Sequence, residues 1–124
     1  MSDFDVQGKI DGDILVATFS GRSTRENSRE LARRYLDLVK ASGLKKVLAD
    51  LRGLEERLSA GETYFLMRDL PSKPIPHDIK TAVLEAERWR EYAAFFESTS
   101  VNAGVALRCF FDRDAAMAWL REPG

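Results

Sequence analysis

The sequence has 124 residues, 44% of them hydrophobic, and a formal net charge of −1. A chain of that size buries roughly two-thirds of its unfolded surface as one domain, without needing a metal or a disulfide. The near balance of charge excludes bulk attraction to nucleic acid or to an anionic membrane.

The N-terminal MSDFDVQGK has no apolar signal core, and the apolar runs fall well short of the ~20 residues that span a bilayer. The single cysteine, Cys109, excludes an internal disulfide and suits a reducing compartment. The expectation is one cytoplasmic domain over residues 1–124.

Residues 4–10 and 14–19 read as two strands joined by Asp11-Gly12-Asp13, a hairpin signal because glycine tolerates the positive φ of the turn. Residues 24–42 read as a helix, with Leu31, Tyr35, Leu38 and Val39 on one stripe. Thr24 is its expected cap and Gly43 its stop. Its outer face carries Arg25, Glu26, Arg29, Glu30, Arg33 and Arg34. Arg22, Arg25, Arg29 and Arg33 could line up as a basic stripe for an anionic partner, or the face is solvated with Glu26–Arg29, Glu30–Arg33 and Glu30–Arg34 pairs.

Residues 46–51 form the next strand, closed by Asp50. Ser59 then precedes Glu62 by three residues, the capping-box spacing that opens a helix burying Phe65, Leu66 and Leu70. Pro71 ends it. The segment PSKPIPHD holds three of the four prolines and the only histidine, His77, and reads as a stiff surface loop. Residues 78–84 are a strand, and 88–101 a helix with Trp89, Ala93 and Phe96 inward. Residues 102–104 are a glycine-terminated stop, 105–111 the last strand, and Asp112 the cap of a final helix burying Ala116, Trp119 and Leu120.

This order, ββαβαβαβα, predicts a mixed, mostly parallel five-stranded sheet. Right-handed crossovers between strands added in one direction collect the helices mainly on one face. The strand set Val47/Ala49/Leu51, Ile79/Thr81/Val83 and Val105/Leu107/Cys109/Phe111 is almost wholly apolar. The alternate set mixes charge in, with Lys46, Asp50, Lys80 and Arg108. Strands covered on both faces are nearly all apolar, so the second face is expected half-exposed, wet or covered by a partner. That face is the reason to expect a homodimer.

Few constellations carry chemistry. His77 stands alone, without further ligands at metal spacing. Cys109 has no histidine with which to form a thiolate pair and reads as a structural thiol. Asp50 and Arg52 sit at a strand end where open α/β sheets bind ligands; they could anchor an anion or a partner, or Asp50 could cap nearby backbone. Arg52 to Glu56 lacks the glycines of a phosphate cradle. Trp89, Tyr92, Phe95 and Phe96 cluster at helical spacing, with one of Tyr92 and Phe95 expected at an interface. No nucleophile–base pair stands out, and neither a cofactor nor a metal is expected.

The central VLADLRGLEERLSAGE, the strand DIKTAVL and the ending LRCFFDRDAAMAWL together resemble the STAS domain family, and more closely its SpoIIAA-like branch, over about 14–120. The resemblance implies a SpoIIAA-like fold and a non-enzymatic regulatory domain. In the family's anti-sigma factor antagonists, an Asp-Ser-Ser/Thr-Gly motif opens the second helix and its serine is phosphorylated. Here the motif stands as Leu58-Ser59-Ala60-Gly61, so Ser59 and Gly61 match while the aspartate and the second hydroxyl residue do not. A phosphate at such a helix start would lie against free N–H groups and the positive end of the helix dipole.

The resemblance implies a protein partner bound through the loop and helix start at 50–62, with Asp50, Arg52, Ser59 and Gly61 as its residues. An alternative is a small-ligand or lipid-binding domain of the same fold. Its pocket would lie between the proline loop and the aromatic helix, with Arg68, His77 and Tyr92 supplying the polar groups.

Overall fold

The computed structural model of the protein describes residues 4–24, 26–56, 78–102 and 104–122. Its strands are β1 (Phe4–Asp11), β2 (Ile14–Gly21), β3 (Lys46–Leu54), β4 (Lys80–Leu84) and β5 (Ala106–Phe110). They lie side by side in chain order. β1 and β2 are antiparallel, and every later neighbouring pair is parallel. The described helices are α1 (Ser28–Ser42), α2 (Arg90–Asn102), which follows a 3-10 turn at Glu87–Trp89, and α3 (Arg113–Arg121). This is the mixed, mostly parallel sheet that the element order predicts.

Local chemistry explains the boundaries. Asp11 pairs with Ile14, leaving Gly12-Asp13 as a two-residue loop with Gly12 at φ 64°. The regular turns of α1 begin at Ser28, so its N-cap is Asn27 and not the expected Thr24, which instead ties down Asn27. The Thr24 N–H donates to Asn27 Oδ1 at 2.8 Å, and the Asn27 N–H donates to Thr24 Oγ1 at 3.2 Å. That is the reciprocal exchange of a capping box, set one turn ahead of the helix. Gly43, at φ 67°, returns its N–H to the Lys40 carbonyl and ends α1. Gly104, at φ 88°, ends α2 in the same left-handed way. Asp112 caps α3 by accepting from the Ala115 N–H at 2.9 Å.

One face of the sheet packs under α1 and α2. Ala17, Phe19, Ala49, Val83 and Leu107 form its centre, with Tyr35 and Leu38 of α1 and Phe96 of α2 against it. The adjoining Leu15, Val47 and Ile79 meet Val39. The expected inward stripe of α1 is therefore the one that packs.

The opposite face differs from expectation. Ile14, Leu48, Ala82 and Leu84 lie beneath Ala116, Met117 and Leu120 of α3, and Leu120 and Ala116 are fully buried. The central part of this face is covered by the chain's own last helix. The helix α1 joins β2 to β3 and α2 joins β4 to β5, so both obey the crossover rule that sends them to one face. The helix α3 follows β5 without being a crossover in this sheet, and the rule does not bind it. The half-exposed apolar face that motivated a homodimer is thus largely filled from within.

The charges that made this face look wet lie around its rim. Lys80 Nζ donates to the Trp119 carbonyl at 2.5 Å and stands 4.4 Å from the Trp119 ring centroid. Lys46 pairs with Asp13 at 3.3 Å, and the Arg108 guanidinium lies over the Phe110 ring.

Candidate interaction site at the end of the third strand

β3 continues three residues beyond Leu51, to Leu54. Its register against β2 explains why the apolar alternation stops early. Thr18 is opposite Asp50 and Ser20 opposite Gly53, so Leu51 and Arg52 together face the single residue Phe19. This is a β-bulge, in which one extra residue shifts the side-chain phase by one. Ala49 and Leu54 consequently reach the same core although five positions separate them. Alternation carried past the bulge breaks off at Leu51, which hides the final turn of pairing.

Two residues hold the bulge. Asp50 Oδ1 accepts from the Arg52 backbone N–H at 3.1 Å and from its Nε at 3.0 Å, while Oδ2 accepts from Nη2 at 3.0 Å. A forked guanidinium–carboxylate contact is geometrically specific. The carboxylate's hydrogen bonding raises the Arg52 pKa above its ordinary value, against a smaller opposing effect of burial. Asp50 therefore caps local backbone, one of its two sequence readings, and its carboxylate also orients Arg52. Gly53 is the second holder. A Cβ there would come within 2.5 Å of the Phe19 carbonyl oxygen, so the close approach of β2 and β3 requires glycine.

Beyond the bulge the two strand ends stay tied. The Glu55 N–H donates to the Gly21 carbonyl at 2.8 Å, Arg22 and Glu56 form a 2.7 Å ion pair, and Asn27 Nδ2 donates to the Arg22 carbonyl. The Arg22–Glu56 pair is half-exposed on both sides and adds little stability in water. Its effect is on placement, since it joins the lead-in to α1 with the exit from β3. Arg33 is occupied by Glu30 and Asp37, so these members of the anticipated basic stripe are charge-paired. Arg34, expected to pair with Glu30, reaches instead to Asp5 of β1 at 3.5 Å.

The end of β4 holds a residue that sequence reading passed over. Glu85 directly follows the apolar run of β4 and is 1% exposed, with its N–H donated to the Phe110 carbonyl. A carboxylate so placed after TAVL was the available signal. On β5 the Cys109 N–H donates to Glu97 Oε1 at 2.6 Å and its Sγ contacts the Ala93 carbonyl at 3.5 Å. Burial, then the nearby Glu97 and Glu85 carboxylates, push the Cys109 thiol up to about 12. That environment disfavours a thiolate.

Of the anticipated site residues, the structure brings Asp50 and Arg52 into direct contact. Tyr92 lies on α2, half-buried and stacked on Phe96 with centroids 6.1 Å apart. Ser59, Gly61, Arg68 and His77 lie outside the described residues. Among the described residues, no group of three or more His, Cys, Asp or Glu side chains is placed to hold a metal ion. No described helix is long and apolar enough to cross a membrane.

No family model matches the sequence, and no curated protein matches it. Solved structures do match. An anti-sigma factor antagonist from Mycobacterium paratuberculosis superposes with a TM-score of 0.66 at 13% identity, covering 96% of this chain and 95% of that one. An uncharacterized DUF3478-family protein with a SpoIIAA-like fold, from Shewanella loihica PV-4, gives 0.57 at 19% identity, covering 94% and 93%. The protein TM1081 gives 0.52 at 15% identity, covering 94% and 88%. Such identities speak to architecture alone, and the architecture agrees nearly end to end: this chain has the SpoIIAA-like fold.

Proposed function

We propose that the protein is a non-enzymatic regulatory domain that binds a protein partner through the loop and helix start at residues 50–62. The observation that carries this reading is the near full-length likeness to an anti-sigma factor antagonist. The end of β3 is compatible with it. Asp50, Arg52, Gly53 and the Arg22–Glu56 pair hold the start of that loop in a defined shape, and a preformed surface loses less entropy on docking. Ser59 and Gly61 enter from the sequence resemblance. On this reading the chain acts as a single domain in the cytoplasm, and a negative charge placed at Ser59 alters docking. Of the small-ligand alternative's residues Arg68, His77 and Tyr92, only Tyr92 is among the described ones, its ring stacked on Phe96.

The test is native mass spectrometry of the protein purified from its own host, repeated for Arg52→Glu and Ser59→Glu. A stoichiometric protein partner that both variants lose, at unchanged thermal stability, is the expected result. A partner retained by both variants would move the surface elsewhere. A co-purifying small molecule in place of a protein would replace the reading with the ligand-binding one.

A further inference from the structure

The two edges of the sheet are finished differently. β5 spans five residues, and a carboxylate from α2 takes the Cys109 N–H, blocking a position at which another strand would bond. β1 spans eight residues. Its hairpin loop has two residues, so the flanking Asp11–Ile14 pair exchanges both backbone bonds. By alternation Lys9, Gln7 and Asp5 also bond towards β2. The N–H and C=O groups of Phe4, Val6, Gly8 and Ile10 therefore point away from the sheet. Among the described residues they make no hydrogen bond outside the ladder. An open edge of this length is a template for another strand.

The side chains of β1 indicate which strand. When a second β1 is laid antiparallel about Gln7, Val6 meets Gly8, Phe4 meets Ile10 and Asp5 meets Lys9, each pair occurring twice. The outward backbone groups then face outward backbone groups, as a ladder requires. Opposite charges face each other across the strands, which stabilises a pair directly opposed. Ile10, 59% exposed in one copy, lands beside Phe4 of the other, on the face that carries α1. Neighbouring registers do worse. A two-fold about Gly8 sets Asp5 against Asp11, one about Lys9 sets Lys9 against itself, and one about Val6 sets Asp5 against Gln7. Asp5 already receives Gln7 Nε2 at 2.7 Å and lies 3.5 Å from Arg34; a carboxylate has lone pairs enough for a further cation.

We propose that two copies of this chain associate edge to edge through β1, antiparallel about Gln7, so that the two five-stranded sheets become one continuous sheet. This is a different surface from the covered face that first suggested a dimer, and it is independent of the partner reading above.

The experiment is sedimentation of the full chain over a dilution series reaching roughly 0.1 mM, where a micromolar Kd is fully expressed. A dimer is expected. Lys9→Glu, which sets two carboxylates opposite each other, weakens association about tenfold or more, and adding Asp5→Lys to it restores the dimer. Ile10→Pro removes an outward N–H while sparing the β1–β2 ladder, a position at which an edge strand tolerates proline, and yields a monomer. Circular dichroism melting of each variant shows that the fold is kept. A chain monomeric throughout the series overturns the proposal, as does a dimer indifferent to both Lys9→Glu and Ile10→Pro. A monomer that binds an unrelated extended peptide along β1 overturns it too, by assigning the edge to another occupant.

Discussion

The two faces of the sheet reach burial by different routes. Under α1 and α2 the strands present an almost wholly apolar set, interrupted by the buried Thr81, and among the described residues these crossover helices cover it. Under α3 the strands present only a central apolar stripe, Ile14, Leu48, Ala82 and Leu84, and a nine-residue helix suffices to close it. The charged residues in the same alternation, Lys46, Asp50 and Lys80, frame that stripe and find partners around its edge. Mixed polarity on a strand face is therefore compatible with a second core, provided the charges sit at the rim and the covering element is short. The first face follows from topology, and the second from where one terminal helix comes to rest.

The sharpest way to break the comparison is to cut into the second core. Leu120→Ala removes a fully buried side chain from the α3 interface, and large-to-small changes at such sites typically cost about 3 kcal/mol. Denaturant unfolding checks this. A loss under about 1 kcal/mol, the scale of surface substitutions, would mean that α3 rests loosely on an essentially wet face.

A smaller change tests the rim alone. Lys80 stands at the rim of the covered face and donates to the Trp119 carbonyl in the last turn of α3, where the helix dipole favours a cation. It also lies over the Trp119 ring. Lys80→Met keeps most of the side-chain volume and removes the charge, so about 1.5 kcal/mol is expected to go. Hydrogen exchange in α3 should rise more than in α1. Equal protection in the two helices would deny Lys80 its role in fastening α3.

Most of the fold was legible because its signals are local. Gly12 marked the hairpin, the Leu31/Tyr35/Leu38/Val39 stripe marked α1, and Asp112 marked the start of α3. Two features were not legible. The bulge at Leu51 and Arg52 depends on β2 lying opposite, and alternation within β3 alone cannot show two residues facing one. The side of the sheet taken by α3 is a tertiary choice, since an amphipathic helix after the last strand can pack on either face. At the candidate site, Asp50 and Arg52 were visible as neighbours in sequence. Their fork and the need for glycine at 53 were visible only once the strands were paired, whereas the buried Glu85 left a signal in its place straight after TAVL.

The smallest effect separates the faces by pH. Cys109 belongs to the face under α1 and α2, and burial, reinforced by Glu97 and Glu85, raises its thiol to about 12. In the unfolded chain a cysteine ionises near pH ~8.5. Below that value both states keep the proton and the thiol makes no difference to the pH dependence. Above it the unfolded state loses the proton while the native state retains it, so stability falls as pH rises and levels off only beyond about 12. The expected outcome is a steeper alkaline loss of thermal stability in the wild type than in Cys109→Ala. Tyr35, raised by its own burial, contributes a loss of the same sign at still higher pH in both proteins, so the difference between them isolates the thiol. A native thiol that reacts with an alkylating reagent as fast as free cysteine, together with identical slopes, would show this face open at β5. The contrast between an almost wholly apolar core and a rimmed one would then fail on the side where it looks strongest.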